Sequence, residues 1–243
     1  MKNKCGSKEE MLEIDGLTLR VIRSARRTVC MRVGADGVME VLAPFPAAIG
    51  VLPGIVRPHL GRLLELQTKK VEQIGKKAAF RLNIGDRLCF LGGTRTVAES
   101  DLKAMTYDDI SFYVPTGLSC DEIRSSIVKI YKKAAKDFIG CRVSYYAPII
   151  GCEVKGIRIN SASSQFASCS RKNTLNFSWH CIMAPCGDID YIVIHELCHM
   201  HHFDHSKRFW ELVEQYCPDY KIHKSNLKTL SDKIACEDWG KDG

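Results

Sequence analysis

The sequence HELCHMHHFDHSKRFW, residues 195–210, constrains this chain more than any other segment. It holds five of the eight histidines, and His195 and His199 stand in the spacing H-E-x-x-H. The preceding residues, IDYIVI, continue a helical pattern for which Asp188 is the predicted N-cap. On a helix, residues four apart share a face and lie about 6 Å apart along the axis, so both imidazoles can bind one tetrahedral metal ion. Glu196 points elsewhere, which suits a carboxylate that acts on metal-bound water.

The third ligand is chosen among three later histidines, His201, His202 and His205. His201 turns to a different face of a continued helix, which favours a solvent-side position. His202 shares the face of His195 and His199, but a straight helix rises about 10.5 Å from residue 195 to 202. Three imidazoles spread over that length cannot easily converge on one ion. The geometry favours His205, if the chain leaves the helix near Phe203-Asp204 and turns back, with His202 left as a helix-end group.

Composition indicates an ordered protein. The 243 residues suit one large domain or two small ones, and a hydrophobic content of 45% argues against disorder. The N-terminus is polar, and no stretch approaches the roughly 18 apolar residues of a membrane span, so we expect a cytoplasmic protein with no membrane partner. Twelve cysteines without a C-x-x-C pair favour reduced thiols. The net charge of +7 permits contact with nucleic acid without requiring it.

The first part of the chain is predicted to be β-rich. Alternating residues in TVCMRV and VMEVLAP flank Gly34-Ala35-Asp36-Gly37, which predicts a hairpin. Helical spacing extends from about Pro53 to Gly75, although Pro58 should interrupt or start that helix. LCFL and ISFYVP are further strand candidates. We therefore predict a first domain over residues 12–117, and no internal repeat is visible in the sequence.

The second part changes character. Ser119 and Glu122 have the spacing of a capping box, and apolar residues follow at helical intervals, so a long helix is predicted from about residue 120. GIRIN, SQFASCS and TLNFSW are predicted strands, and Ser206 can cap a helix that Pro218 ends. These elements predict a second domain over residues 118–236 and an α+β fold for the whole chain.

Four segments of the chain resemble the YgjP-like metallopeptidase family, whose zinc minidomain is similar to those of SprT-like and WLM proteases. They are RSARRTVCMRVGADGVMEVLAPFP, IGDRLCFLGGTRTV, SQFASCSRKNTLNFSW and IDYIVIHELCHMHHFDHSKRFW. The resemblance covers residues 20–230. It implies a β-rich N-terminal part followed by a zincin-like helical and β minidomain that carries the HExxH helix. It also implies that His195, His199 and His205 bind Zn²⁺ and that Glu196 is the catalytic carboxylate.

One segment departs from the family pattern, which has Arg-Trp-Gly where this chain has Gln165-Phe166-Ala167. Ser168-Cys169-Ser170 is kept, and Cys169 is interpreted as a small packed side chain rather than a ligand or nucleophile. The departure concerns the strand expected on the substrate side and leaves the metal-ligand pattern intact.

The three candidate metal ligands and Glu196 together predict hydrolysis of peptide bonds in a peptide or protein substrate. Three neutral imidazoles leave a fourth zinc position open to water, from which Glu196 would accept a proton. Three tyrosines could stabilise the oxyanion, although packing roles are favoured for all of them: Tyr191, Tyr216 and Tyr220. One alternative is a zinc-stabilised binding module without turnover, against which Glu196 argues. Another is a nucleic-acid-associated protease of SprT or WLM type, for which no zinc finger or aromatic-basic platform was identified.

Overall fold

The computed structural model describes residues 10–240. The polar N-terminal segment, in which we expect no secretory signal, lies largely outside the described residues. The chain divides into two compact units between Ala79 and Phe80. The boundary expected between residues 117 and 118 falls inside the second unit. There the strands before it and the helix after it share one core, in which the rings of Phe90 and Phe112 lie 5.6 Å and 5.7 Å from that of Tyr131.

The first unit is a four-stranded sheet followed by helices. Its strands are β1 (Glu10–Ile14), β2 (Leu17–Ser24), β3 (Cys30–Val33) and β4 (Met39–Pro44), in the order β1-β2-β4-β3. The predicted hairpin is confirmed, because β3 pairs antiparallel with β4. The β2–β4 pair is parallel and was not anticipated. Helices α1 (Leu52–Val56) and α2 (Leu60–Ala79) follow, and Pro58 lies in the short 3₁₀ turn between them, as its backbone restriction predicts.

The second unit begins with a sheet of the same topology. Strands β5 (Arg87–Phe90), β6 (Gly93–Ser100), β7 (Thr106–Tyr107) and β8 (Ser111–Pro115) have the order β5-β6-β8-β7. Its successive pairings are antiparallel, parallel and antiparallel, as in the first sheet. The fold therefore contains a topological repeat that the sequence does not reveal.

Helix α3 (Cys120–Ile150) begins at the predicted capping box. The Ser119 hydroxyl accepts a hydrogen bond from the backbone of Glu122, and the Glu122 carboxylate accepts one from the backbone of Ser119 at 2.9 Å. This reciprocal pairing satisfies two amide groups that a helix start leaves without partners. Three short strands follow, namely β9 (Gly156–Asn160), β10 (Ala167–Cys169) and β11 (Thr174–Ser178), in the order β10-β11-β9.

Three helices complete the second unit, α4 (Cys186–Cys198), α5 (Lys207–Tyr216) and α6 (Tyr220–Ile234). The prediction that Asp188 caps α4 is wrong, because the N-cap position is Pro185, three residues earlier. The buried Asp188 carboxylate instead accepts hydrogen bonds from His223 at 2.6 Å and Asn226 at 3.2 Å, which connect α4 to α6. Asp190 binds Arg142 of α3 through both carboxylate oxygens. These contacts and the surrounding apolar core fix α4 on two sides.

The architecture is a mixed α+β fold with a β-rich N-terminal part. None of the helices within residues 10–240 is long and apolar enough to cross a membrane. The eleven cysteines among the described residues are all free thiols.

Candidate active site

The last turn of α4 carries the H-E-x-x-H residues. Ile189, Val193 and Leu197 are buried in the core, which orients the opposite edge of the helix toward a cavity. The helix ends at Cys198, with His199 as its C-cap, so the chain leaves it before the exit near Phe203-Asp204 that was expected for His205 to be a ligand. The amides of His201 and His202 both donate to the carbonyl of Cys198, which tightens the chain into a turn. This early end returns the following segment toward the helix.

The turn brings His205 to His195 and His199. The Nε2 atom of His195 lies 3.2 Å from Nε2 of His199 and 3.3 Å from Nε2 of His205, and one ligand atom from each residue lies within 4.8 Å of the others. Ligands at about 2.1 Å in a tetrahedral arrangement are separated by roughly 3.4 Å. The nitrogen spacing therefore fits a single zinc-sized ion. His202 is not part of this cluster.

The protonation states also suit metal binding. Nδ1 of His199 lies 3.0 Å from the carbonyl of His202, so a proton on Nδ1 donates there and leaves the Nε2 lone pair free. Burial, together with the smaller effects of the nearby His199 and His205, lowers the pKa of His195 to about 3. Burial lowers the pKa of His199 as well. Imidazoles that resist protonation at neutral pH are the form that a metal ion requires.

Aromatic side chains of α5 hold the imidazoles in place. The ring of Phe209 is fully buried and stacks on His199 at a centroid distance of 4.4 Å. It also contacts His195 and His205, both at 4.9 Å. Trp210 stacks on His205 at 5.7 Å. These aromatic supports were not identified from the sequence, although the letters FW directly follow the histidine-rich segment.

Glu196 has a buried carboxylate group, one oxygen of which makes no hydrogen bond within the described part of the chain. Its side chain is 5% exposed, and Oε2 has no hydrogen-bond partner among the described residues. Burial raises the pKa of Glu196 to about 8. An unpartnered buried carboxylate is costly to the fold, and such groups concentrate at functional sites. Its proton affinity near neutrality is the property that a group needs if it accepts and returns a proton.

A cavity of about 160 Å³ adjoins Glu196. It is lined by side chains from α4, α6 and the edge strand β10: Phe166, Ala167, Tyr191, Ile192, His195, Glu196 and Leu227. Phe166 and Ala167 are two of the three positions at which the sequence departs from the family pattern. The departure therefore changes the wall of the cavity beside the carboxylate and does not touch the imidazoles.

The other residues singled out from the sequence lie outside the imidazole cluster. Nε2 of His201 lies 3.1 Å from the carbonyl of Ile150 and 3.4 Å from Sγ of Cys152. Burial raises the pKa of the Cys169 thiol to about 11, which makes it a poor nucleophile at neutral pH. Among the tyrosines, Tyr191 lines the cavity next to Glu196, and Tyr220 stacks on Trp210. Tyr216 packs against the core.

The site combines two histidines on one helix, a third histidine that a turn brings back to them, and a buried carboxylate between the first two. This is the arrangement of a metal-dependent peptidase. The sequence agrees with this class. The chain belongs to the YgjP-like metallopeptidase domain family, whose sequence pattern matches residues 27–230.

A solved structure with local similarity is the metallopeptidase zymogen of Pyrococcus abyssi abylysin, which is 25% identical. The similarity covers 37% of this chain and 92% of that chain, with a TM-score of 0.35. No curated protein sequence matches this chain.

Proposed function

We propose that this protein is a zinc-dependent metallopeptidase in which His195, His199 and His205 hold the metal ion. The observation that carries the proposal is the convergence of three Nε2 atoms with spacings of 3.2 Å and 3.3 Å from His195. Three neutral imidazoles bring no charge to the site, so the ion would keep its full charge and one position for an exchangeable ligand. When bound, zinc would lower the pKa of a coordinated water and polarise a substrate carbonyl.

Glu196 is the proposed general base and acid. Its free Oε2 atom would accept a proton during attack on the scissile carbonyl and would return it to the leaving amine. The buried surroundings exclude bulk water, which strengthens the interaction between the carboxylate and the reacting groups. Tyr191 lines the same cavity and is the tyrosine best located to contact the substrate.

The edge strand β10 supports a peptide substrate. Among the strands that the structure describes, it pairs only with β11, so its other edge can bind an extended chain through backbone hydrogen bonds. Phe166 and Ala167 belong to or adjoin this strand and line the cavity at Glu196. A peptide aligned on β10 would therefore have one side chain directed into an apolar pocket next to the carboxylate.

The free thiols support activity in a reducing compartment, and we propose the cytoplasm. The direct test of function is metal analysis of the purified protein, followed by digestion of a mixed peptide library and identification of the products by mass spectrometry. We expect one zinc per chain and cleavage that stops when a chelator removes the metal and resumes when zinc is restored. A stoichiometric metal site without cleavage of any peptide or unfolded protein would favour the binding-module alternative.

A further inference from the structure

A second cleft lies beside the metal-ligand cluster and has no part in the proposed mechanism. Its volume is about 530 Å³, and residues of α5 and α6 line it: Trp210, Tyr220, Lys221, Lys224, Ser225 and Lys228. The three lysines occupy positions i, i+3 and i+7 of α6, which places them along one face of the helix. An aromatic wall and a row of ammonium groups thus define one continuous surface, which we name the lysine cleft.

Trp210 connects the lysine cleft to the candidate metal centre. Its ring lies 5.8 Å from that of His195 and 5.7 Å from that of His205, between centroids. Nζ of Lys224 lies 4.7 Å from the centre of the same Trp210 ring. Nζ of Lys224 is therefore at most about 10.5 Å from the centre of the His195 ring, a span of about three residues of extended peptide at roughly 3.3 Å each. A peptide bound at the metal centre would reach this ammonium group.

The charge of the lysine cleft is not neutralised by the protein. Across residues 10–240, no ion pair with an acidic side chain involves Lys221, Lys224 or Lys228, whereas other lysines of the same region are paired, as Lys207 is with Glu211. Three ammonium groups without acidic partners, two of them beside aromatic rings, attract anions, and the aromatic wall reduces the competition from water.

The geometry of the rings distinguishes between two kinds of anionic ligand. A nucleobase needs an open aromatic face for stacking. The Trp210 ring already stacks with His205 and Tyr220 and has the Lys224 ammonium above it, while Lys221 lies 5.5 Å from the centre of the Tyr220 ring. A carboxylate needs only the ammonium groups. The occupied rings therefore favour an acidic side chain over a nucleic acid.

We propose that the lysine cleft is a specificity subsite that selects peptide substrates with Asp or Glu within about three residues of the scissile bond. The carboxylate would bind the ammonium groups of Lys221, Lys224 and Lys228. This proposal rests on the proposed peptidase function, and it defines the class of substrate for that same site.

The test uses the zinc-loaded full chain and matched peptides. Cleavage sites are first mapped in a mixed peptide library, and peptides with Glu or Gln are then compared at each of the three positions on either side of the cut. We expect kcat/KM to be about tenfold higher for Glu than for Gln at one of these positions, as several weak ion pairs acting together would produce. This ratio should fall as ionic strength rises. The combined Lys221→Glu and Lys224→Glu variant should bring the ratio below one.

The matched control is the combined Lys129→Glu and Lys133→Glu variant, which makes the same charge change at two exposed positions of α3. Lys129 lies about 30 Å along that helix from Ile150, whose carbonyl contacts His201. The control should retain the Glu preference of the wild type. Equal kcat/KM for Glu and Gln peptides at all six positions would overturn the proposal. A preference for Glu that persists in the combined Lys221→Glu and Lys224→Glu variant would also overturn it.

A binding measurement separates this proposal from the proposed function. The zinc-loaded Glu196→Gln variant is titrated with a fluorescein-labelled peptide of alternating Ala and Glu, and with its Ala and Gln counterpart. Tighter binding of the Glu peptide, lost when Lys221 and Lys224 are also replaced, supports the lysine cleft even if the wild type cleaves no peptide. Equal binding of both peptides refutes it. Tighter binding of a single-stranded oligonucleotide than of the Glu peptide, lost in the same lysine variant, would assign the surface to nucleic acid and also refute it.

Discussion

Replacement of Glu196 by Gln should make the metal-free protein more stable while removing its activity. The carboxyl of Glu196 has an ordinary pKa of 4.5 in the unfolded chain and a pKa of about 8 when buried in the folded protein. A group whose pKa is raised by folding favours the folded state at low pH and loses that contribution as the pH rises through its folded pKa. Gln is uncharged throughout this range, so it avoids the loss.

The magnitude follows from the two pKa values of Glu196. Each pH unit between 4.5 and 8 costs the folded wild type about 1.4 kcal/mol, so the difference between variant and wild type should be near zero at pH 4 and about 3 kcal/mol at pH 7. It should level off above pH 8. Bound zinc would favour the ionised carboxylate and reduce the difference. In the loaded enzyme, loss of the proton acceptor should lower kcat by about 10² or more.

The assay is urea unfolding of chelator-treated protein followed by tryptophan fluorescence at several pH values. All three tryptophans, Trp179, Trp210 and Trp239, lie in the second unit, so the signal reports the unit that contains Glu196. A stability difference independent of pH would show that Glu196 is not held in a state that resists ionisation. An unchanged rate of peptide cleavage would remove Glu196 from the mechanism.

Three further outcomes are expected. His205→Ala should abolish zinc binding in equilibrium dialysis while His202→Ala retains it, because only His205 lies in the imidazole cluster; the reverse result would contradict the ligand assignment. Asp188→Ala should lower the free energy of unfolding by about 3 kcal/mol in a urea titration, because it leaves two hydrogen-bond donors of α6 without their buried acceptor. Asp121→Asn, at an exposed position, should change the free energy of unfolding by less than about 0.5 kcal/mol in the same titration. Binding to DNA or RNA should be nonspecific with a shallow salt dependence in fluorescence anisotropy, and tight sequence-selective binding at physiological salt would disagree with this expectation.

Local sequence signals predicted the elements that local physics determines. The capping box at Ser119 and Glu122 marked the start of α3, and the Gly34 to Gly37 turn marked the β3–β4 hairpin. The β1–β2 hairpin also carries a local signal that is absent from the predictions above, because Asp15-Gly16 is the Asp-Gly pair of a tight turn and both residues have positive φ.

Long-range features were not accessible in the same way. The parallel β2–β4 and β6–β8 pairs join strands separated by intervening segments, and no turn residue marks such a pairing. Asp188 has the residue type of an N-cap, yet its partners are on α6, more than thirty residues later. The domain boundary was expected at the change from strands to helix, whereas the structure divides at Ala79 because β5–β8 and α3 share a core.

The convergence of His205 with His195 and His199 has a different origin. Helical geometry excluded a straight arrangement of three ligands, but the place where the chain turns depends on packing. Phe209 is fully buried against all three rings, so burial of this one apolar side chain draws α5, and the histidine just before it, onto the end of α4. The same packing leaves Nδ1 of His195 and Oε2 of Glu196 buried without partners among the described residues. The hydrophobic core offsets the free-energy cost of burying those two groups without partners. Because the two groups themselves lower the stability of the fold, their burial is explained by the chemistry of the site and not by stability.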